Sequence, residues 1–462
     1  MLIREALGVK AGDVISIVGA GGKTSLALRL LAELKREGLK AIFTTTTKFL
    51  EPIPASGEAI VLEEDAAKIV ERVREAFGQG DAVILARRRL KEKVSIPASY
   101  PFPMRPYKLQ GIPPEVVDKL HEAFSEAVII VEADGARGKL LKAPSFHEPI
   151  VPSSTSIFVA MAHADALGKP IDKEFVHRHE EVARLLSCPG GSILDEAAIA
   201  SVLLHPEGGM KAKPPSARFV PVVNGREEAS PQKAYRIARL LLRSPEVKAV
   251  PIATLWAEEP VRDIVGRVKG IILAGGKSER FGYPKQLVPV EGIPMLERVV
   301  EIALASPLES VVVVLGANAE SILPTLKDKP VQVVVNKEWP EGIASSVRAG
   351  LMAIGPETEA VVFFLADQPF VKPETVATVI RCYYQTRKPI VAPAYKGIRG
   401  NPVLFDRSTF LELASLRGDK GGRTIIESHP DWVQTVEVSD PGIRIDVDTP
   451  QDLSLSKDML SM

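Results

Sequence analysis

The sequence predicts an α/β protein of two doubly wound domains, and three observations carry that expectation. Short β-branched runs alternate with amphipathic segments, the rhythm of strand–helix–strand units. The runs are continuously apolar, as strands covered on both faces are. The rhythm also starts twice, near Val14 and again at Ile271, and each start pours into a glycine-rich turn. At 462 residues the chain exceeds what one core usually holds, which agrees with two domains.

In the first half, Val14 to Val18 reads as a strand, Thr24 to Glu37 as a helix and Ala41 to Thr44 as a strand. Asp65 to Phe77 follows as a helix and Ala82 to Leu85 as a strand. The proline-rich stretch Ile96 to Pro114 reads as a long ordered loop or lid. Ala253 to Arg267 holds Trp256, two glutamates and Pro260 with no strand-like run, so a boundary is expected near residue 260, between domains 1–255 and 268–462. The second cycle runs from Ile271 through Val311 to Leu315, Val331 to Val335 and Val361 to Leu365.

Composition narrows the function classes. With 45% hydrophobic and 25% charged residues the chain has the make-up of a soluble globular protein. Lys+Arg and Asp+Glu balance at 58 each, which gives no reason to expect nucleic acid or an anionic membrane as a partner and favours small anionic substrates. The opening residues lack a signal-peptide core, and no run approaches the ~20 apolar residues that cross a bilayer, so a cytoplasmic location is expected. Cys188 and Cys382 are too few for a disulfide framework or a cysteine zinc site.

Residues Ile271 to Lys285, IILAGGKSERFGYPK, form the most informative stretch. Glycines let backbone N–H groups approach phosphate oxygens, and Arg280 and Lys285 can cancel charge that would repel a nucleophile. The run Val361 to Leu365 ends in Ala366-Asp367-Gln368-Pro369, and an acid at a strand's carboxyl end points into the ligand crevice of an open α/β sheet. Asp446 and Asp448, in IDVDTP, supply a second acidic site. Magnesium in nucleotide enzymes takes one or two carboxylates plus phosphate oxygens, which suits Asp367 and Asp448. Helix capping is the competing reading for all three aspartates.

Together these motifs resemble the molybdenum cofactor nucleotidyltransferases, a branch of the glycosyltransferase-A-like nucleotidyltransferases. Asn336-Lys337-Glu338-Trp339-Pro340-Glu341-Gly342 with Ala344-Ser345-Ser346, then GNPVLF at 400–405, GDKGG at 418–422 and the DVDTPQDL ending follow in family order. The resemblance implies transfer of a nucleoside monophosphate from an NTP to the terminal phosphate of molybdopterin, releasing pyrophosphate. It implies nucleotide binding by Leu273, Ala274, Gly275, Gly276, Ser278, Arg280, Lys285, Gly342, Ser345 and Asp367. Arg280, Lys285 and Asp367 would be catalytic, and Mg²⁺ would sit on Asp367 and Asp448. The motifs favour the cytidylyl branch and CTP over GTP. Gly275 departs from them, because cytidylyl members usually carry alanine there.

The first half has its own phosphate loop. Val14-Ile15-Ser16-Ile17-Val18 leads into Gly19-Ala20-Gly21-Gly22-Lys23-Thr24-Ser25 and a helix, similar to the shortened G-x-x-G-K-T of ATP-dependent ligases and hence P-loop-like. Gly19, Gly21, Gly22, Lys23, Thr24 and Ser25 are expected to bind ATP or GTP, with Lys23 on phosphate and Thr24 on magnesium. Val128 to Val131 ends in EADGARG, which offers Glu132 and Asp134 for the magnesium side. Thr44 to Thr47 with Lys48 could contact phosphate or cap a helix. His177-Arg178-His179 reads as exposed helix polarity, and the run Arg87 to Lys91 could grip an anion but reads more readily as a solvated face.

With VGAGGKT, TTTTK, VEADGARG, Lys142-Ala143-Pro144, Glu148-Pro149 and Pro221-Val222-Val223-Asn224, residues 1 to about 250 resemble the accessory protein of selenium-dependent molybdenum hydroxylases. That resemblance implies NTP binding and an apo molybdenum hydroxylase as partner. The expected protein is thus a hydroxylase-maturation domain fused to a molybdopterin cytidylyltransferase. The alternatives are a guanylyl or sugar-phosphate nucleotidyltransferase and a non-catalytic cofactor carrier.

Overall fold

The computed structural model describes residues 1–54, 57–96, 102–226, 231–278, 282–449 and 451–453. The chain divides into two units, Met1–Arg262 and Asp263–Met462. Both are α/β, built on parallel strands.

In the first unit the strands pair in the order Ala249–Ala253, Arg218–Asn224, Ile157–His163, Val14–Gly19, Val128–Glu132, Ala41–Thr45, Ala82–Ala86 and Ala59–Leu62. Every neighbouring pair in that series is parallel. The chain works outward from Val14–Gly19, returns at Val128–Glu132 and then crosses to the other side at Ile157–His163. Winding therefore reverses beside Val14–Gly19, where the carboxyl ends of the strands open a crevice. The helix Lys23–Arg36 follows that strand because Leu26, Ala27, Leu30, Leu31 and Leu34 recur at helical spacing and are all buried. Lys35 and Arg36 in its last turn suit the negative end of the helix dipole.

Three departures from the sequence expectation have physical causes. The stretch after Ile96 is not a loop throughout: Met104–Gln110 is the central strand of a three-stranded antiparallel sheet between Lys48–Pro52 and Arg88–Lys93. It carries Pro106, a residue that argues against a central strand, and irregular pairing at Leu50/Pro52 and Arg89/Lys93 accommodates it. Arg88–Lys93 is almost wholly exposed and so has no apolar face to betray it. Its basic residues are not merely solvated, since Arg89 forms an ion pair with the buried Glu51 through both carboxylate oxygens. Finally, Val261–Gly266 is a strand where no strand-like run was evident, and the division between the units falls inside it.

The second unit orders its strands Gln332–Val335, Ser310–Leu315, Val268–Ala274, Ala360–Leu365, Val403–Asp406, Ile390–Tyr395 and Ile398–Arg399, with Val433–Glu437 pairing with Ile390–Tyr395. The first four are mutually parallel, and Val403–Asp406 runs antiparallel to Ala360–Leu365, which makes the sheet mixed. One face is covered by the helix Ile343–Ala353, whose Ala344, Val347 and Ala349 join Ile271, Val312, Val314 and Val361 in a buried cluster.

Gly350 lets that helix approach the sheet. A Cβ there would lie 2.6 Å from Ile271 Cγ2 and 3.3 Å from Val314 Cγ2, atoms of two fully buried residues. Gly350→Ala gains roughly 0.5–1 kcal/mol of helix propensity. It loses about 1–3 kcal/mol to overpacking, so the variant is expected to unfold at lower urea than the parent. A higher urea midpoint would show that the sheet can yield to the extra methyl.

Candidate nucleotide sites

In the second unit, strand register brings the expected groups together. Leu273 pairs with Leu365, so the glycine loop after Ala274 and the Ala366-Asp367 turn leave the sheet side by side. Lys285 opens the short 3₁₀ turn Lys285–Leu287 and reaches across: its ammonium donates to Asp367 Oδ2 at 2.6 Å and to Asp448 Oδ1 at 2.9 Å. Burial opposes the lysine's charge, but the two carboxylates outweigh it and hold its pKa above the ordinary value. The other oxygen of Asp367, Oδ1, is buried and accepts no hydrogen bond among the described residues. Burial pushes the carboxyl of neighbouring Asp446 upward despite its hydrogen bond from Gln368, and the charges of Asp367 and Asp448 push the same way.

The loop is clamped by a residue that motif reasoning missed. Gln286, 1% exposed, donates through Nε2 to the carbonyls of Ala274 and Gly276 and accepts from the Ser278 hydroxyl. A glutamine between a lysine and a leucine is equally at home on a surface, so nothing local marks it. Asn336 plays a similar part, donating to the hydroxyls of Ser345 and Ser346, and Ser345 donates on to the Gly342 carbonyl. Gly342 has φ 99° and begins the helix Ile343–Ala353. Ser346 stands against the loop, because a Cβ on Gly275 would lie 2.8 Å from its Oγ. Arg280 falls outside the described residues. Leu273 borders a separate cavity of about 480 Å³ whose wall includes Arg399, Asn401 and Arg423.

The first unit repeats the arrangement with different residues. Ile17 pairs with Glu132, so Gly19 and Asp134 end neighbouring strands, and the Gly19 N–H donates to Asp134 Oδ2 at 3.1 Å. Gly19, Gly21 and Gly22 all have positive φ, and a side chain at Gly19 would strike the Met161 carbonyl on the adjoining strand. Lys23 donates to the Gly19 carbonyl at 2.7 Å and lies 3.9 Å from Glu132 Oε1. Its ammonium is also 3.2 Å from Asp134 Oδ1, near enough for attraction but without hydrogen-bond geometry. The Thr24 hydroxyl donates to Glu132 Oε2 at 2.8 Å, and Ser25 is buried. Burial raises the Glu132 pKa against the pull of Lys23 and Thr24.

Lys48 begins a strand, which removes the helix-cap reading of the preceding threonines. Thr44 and Thr45 instead donate to the carbonyls of Leu85 and Glu132. Asn224, at the end of its strand, donates to the Gly21 carbonyl at 2.8 Å. His177 and Arg178 do not lie on an exposed helix face. Val176–His177 is a short strand with His177 in register with Lys142, and only His179 enters the helix His179–Leu186. Lys142 is buried between Asp134 Oδ2 and Glu148 Oε2, both at 2.9 Å, and Arg178 donates to the same Glu148 oxygen at 2.7 Å.

Glu148 is a strongly perturbed carboxyl of this network. Burial would raise its pKa, but Arg178 and Lys142 together bring it down to about 2 from 4.5. A depressed folded-state pKa stabilises the fold at pH above the unfolded value and loses that contribution as pH falls through the folded one. Glu148→Gln should therefore lower the urea midpoint at neutral pH, and the gap to the parent should close as pH drops from 4.5 towards about 2. A gap independent of pH in that window would separate the carboxylate's charge from its effect.

Among the described residues no helix is long and apolar enough to cross a membrane, and no group of three or more His, Cys, Asp or Glu is placed to hold a metal by itself. Comparison with known proteins matches residues 15–180 to the YqeC protein family and residues 270–433 to the MobA-like NTP transferase domain. The YqeC protein of Escherichia coli (strain K12) is 32% identical over 215 residues, covering 46% of this chain and 77% of that protein. Nicotine blue oxidoreductase of Paenarthrobacter nicotinovorans is 32% identical over 195 residues, covering 40% of this chain and 94% of its own. Molybdenum cofactor guanylyltransferase of Rhodobacter capsulatus is 38% identical over 114 residues, covering 24% of this chain and 56% of its own. The two units thus correspond to two known families: the chain belongs to the YqeC family through its first unit and carries a MobA-like NTP transferase domain in its second.

Proposed function

We propose that the second unit is a Mg²⁺-dependent molybdopterin nucleotidyltransferase of glycosyltransferase-A-like fold. On this reading the first unit is a P-loop-like domain that binds ATP or GTP while serving the maturation of an apo molybdenum hydroxylase in the cytoplasm. The observation that carries the transferase reading is Lys285 bridging Asp367 and Asp448 beside the glycine loop. The buried, unsatisfied Asp367 Oδ1 fits a cation, and Asp367 with Asp448 would hold it. A bound magnesium would supply neutralisation of phosphate charge.

The chain's own groups do the rest. Backbone N–H groups of Ala274 to Ser278 cradle the triphosphate, with the loop shaped by Gln286. Lys285, kept cationic by its carboxylates, stabilises charge on the α-phosphoryl group. A molybdopterin phosphate oxygen forms the new bond to the α-phosphorus, the bond to the bridging oxygen breaks, and pyrophosphate leaves. That nucleophile is already ionised at neutral pH, so positioning and charge neutralisation suffice without a histidine base.

The nucleobase is read as cytosine from the Asp367-Gln368-Pro369, Trp339 to Ser345 and Gly400 to Val403 segments, with guanine as the alternative favoured by Gly275 and by the guanylyltransferase relative. Incubation with molybdopterin, Mg²⁺ and equal CTP and GTP is expected to yield cofactor carrying CMP. Recovery of GMP alone would reverse that assignment.

The breadth of the match to nicotine blue oxidoreductase supports a second reading, in which the same crevice holds a nucleotide-bearing redox cofactor. Asp367→Asn separates the two. Removing one preorganised electrostatic group typically costs a factor on the order of 10²–10³ in turnover, and a loss of that size in pyrophosphate release is expected with the fold intact by circular dichroism. NAD(P)H oxidation without any pyrophosphate release in the parent would favour the redox reading instead.

A further inference from the structure

The first unit's crevice is larger and more cationic than one nucleotide needs. It is a cavity of about 1690 Å³, whereas a site for a single small ligand holds roughly 300–1,000 Å³. Gly21 to Ser25 occupy one part of its wall. Away from that loop the wall also carries Lys48, Lys108, Arg137, Lys139, Arg178 and Arg226. The acids that share it are already engaged: Glu132 with Thr24, Glu148 with Lys142 and Arg178, and Asp165 with Arg226. Among the described residues Lys48, Lys108 and Arg137 form no ion pair.

Arg137, Arg178 and Lys142 all act on His177, which groups these cations around one part of the cavity, and Lys139 follows Arg137 on the same wall with its ammonium on the Glu174 carbonyl. Arg137 is exposed and held in the left-handed region at φ 50°, just past the Gly135 carbonyl that Lys142 grips. His177, in register with Lys142, lines the same cavity. Burial and then the charges of Arg178, Lys142 and Arg137 bring its pKa down to about 4, so at neutral pH it is an uncharged imidazole amid cations. Glu148 already pairs with Lys142 and Arg178, while Arg137 forms no ion pair among the described residues and is the cation a ligand's charge would meet.

We propose that this corner, formed by Arg137, Lys139, His177 and Arg178, binds a second ligand beside the nucleotide: a small molecule bearing a phosphoryl oxyanion. The proposal rests on the nucleotide reading of Gly19 to Ser25 given above. The oxyanion could come from free phosphate or from a pyrophosphate-bridged compound, and both present the same charged oxygens to guanidinium and ammonium donors. Two ligands in one cavity would make the first unit a two-substrate site, not a nucleotide-gated switch.

The test uses the full chain saturated with Mg²⁺ and a non-hydrolysable ATP analogue, titrated calorimetrically with inorganic phosphate in one arm and inorganic pyrophosphate in the other. At least one anion should join the analogue without displacing it, and the tighter of the two identifies the source. Arg137→Ala should weaken that anion about tenfold, the worth of one charge-assisted hydrogen bond, while leaving the analogue's affinity unchanged. Because Arg137 belongs to the first unit, this loss assigns the event to its cavity. Lys139→Ala is the second variant, and the His177 imidazole resonance should titrate at higher pH once the anion is bound. Displacement of the analogue by both anions, or anion affinity indifferent to both substitutions, would overturn the proposal while sparing the nucleotide reading. If the analogue itself gains nothing from an intact Lys23 when compared with Lys23→Ala, the nucleotide reading fails and the proposal falls with it.

Discussion

A lysine that follows a glycine loop, paired with a carboxylate at or just past the end of the neighbouring strand, is the interaction common to both candidate sites. Parallel pairing dictates it. Side-by-side strands end on the same edge of a sheet, so a loop leaving one strand and an acid leaving the next must share a crevice. Lys23 with Glu132 and Asp134, and Lys285 with Asp367, are two realisations of that geometry, and in the second unit Asp448 joins from an irregular segment.

The energetics of such a clamp constrain what can enter. Stripping one partner from a buried ion pair such as Lys23–Asp134 costs about 3–5 kcal/mol, because the remaining charge is left in a poor solvent, and the more exposed Lys285 pairs cost less. On the proposed reading, a triphosphate that draws the lysine towards itself must therefore arrive with something to satisfy the abandoned carboxylates. A divalent cation would do so, and the Oδ1 atoms of Asp134 and Asp367 accept no hydrogen bond among the described residues. On the proposed reading, nucleotide and metal are therefore coupled ligands. The lysine serves as a resident counterion that keeps the acids compatible with burial.

Much of this was legible in the chain because the informative signals are local. A continuous apolar run marks a doubly covered strand, and Val14–Gly19, Ala41–Thr45, Val268–Ala274 and Ala360–Leu365 all carry one. Glycine-rich turns and strand-end acids sit next to such runs. The less legible parts depend on partners far away in sequence. Arg88–Lys93 has no apolar face, Met104–Gln110 contains a proline, and Val403–Asp406 gives no local sign that it runs antiparallel. Gln286 and Asn336 shape the second unit's loop through contacts visible only once the strands are placed. Arg178 and His177 changed character for the same reason. Their neighbours are Glu148 and Lys142, some thirty residues upstream, and not the turn of a helix.

The position that most complicates the base assignment also has a spatial explanation. Gly275 is read as a departure from the cytidylyl pattern because alanine is usual there, yet the space an alanine methyl would fill is taken by the Ser346 hydroxyl. Asn336 holds that hydroxyl at 3.2 Å and anchors its neighbour Ser345 at 2.8 Å. Glycine at 275 and the Asn336–Ser346 contact are thus two sides of one packing solution, and the residue cannot be weighed alone as a marker of base preference. What it fixes is how closely the start of the helix Ile343–Ala353 approaches the phosphate loop. That distance bears on where the triphosphate lies more directly than on which base it carries.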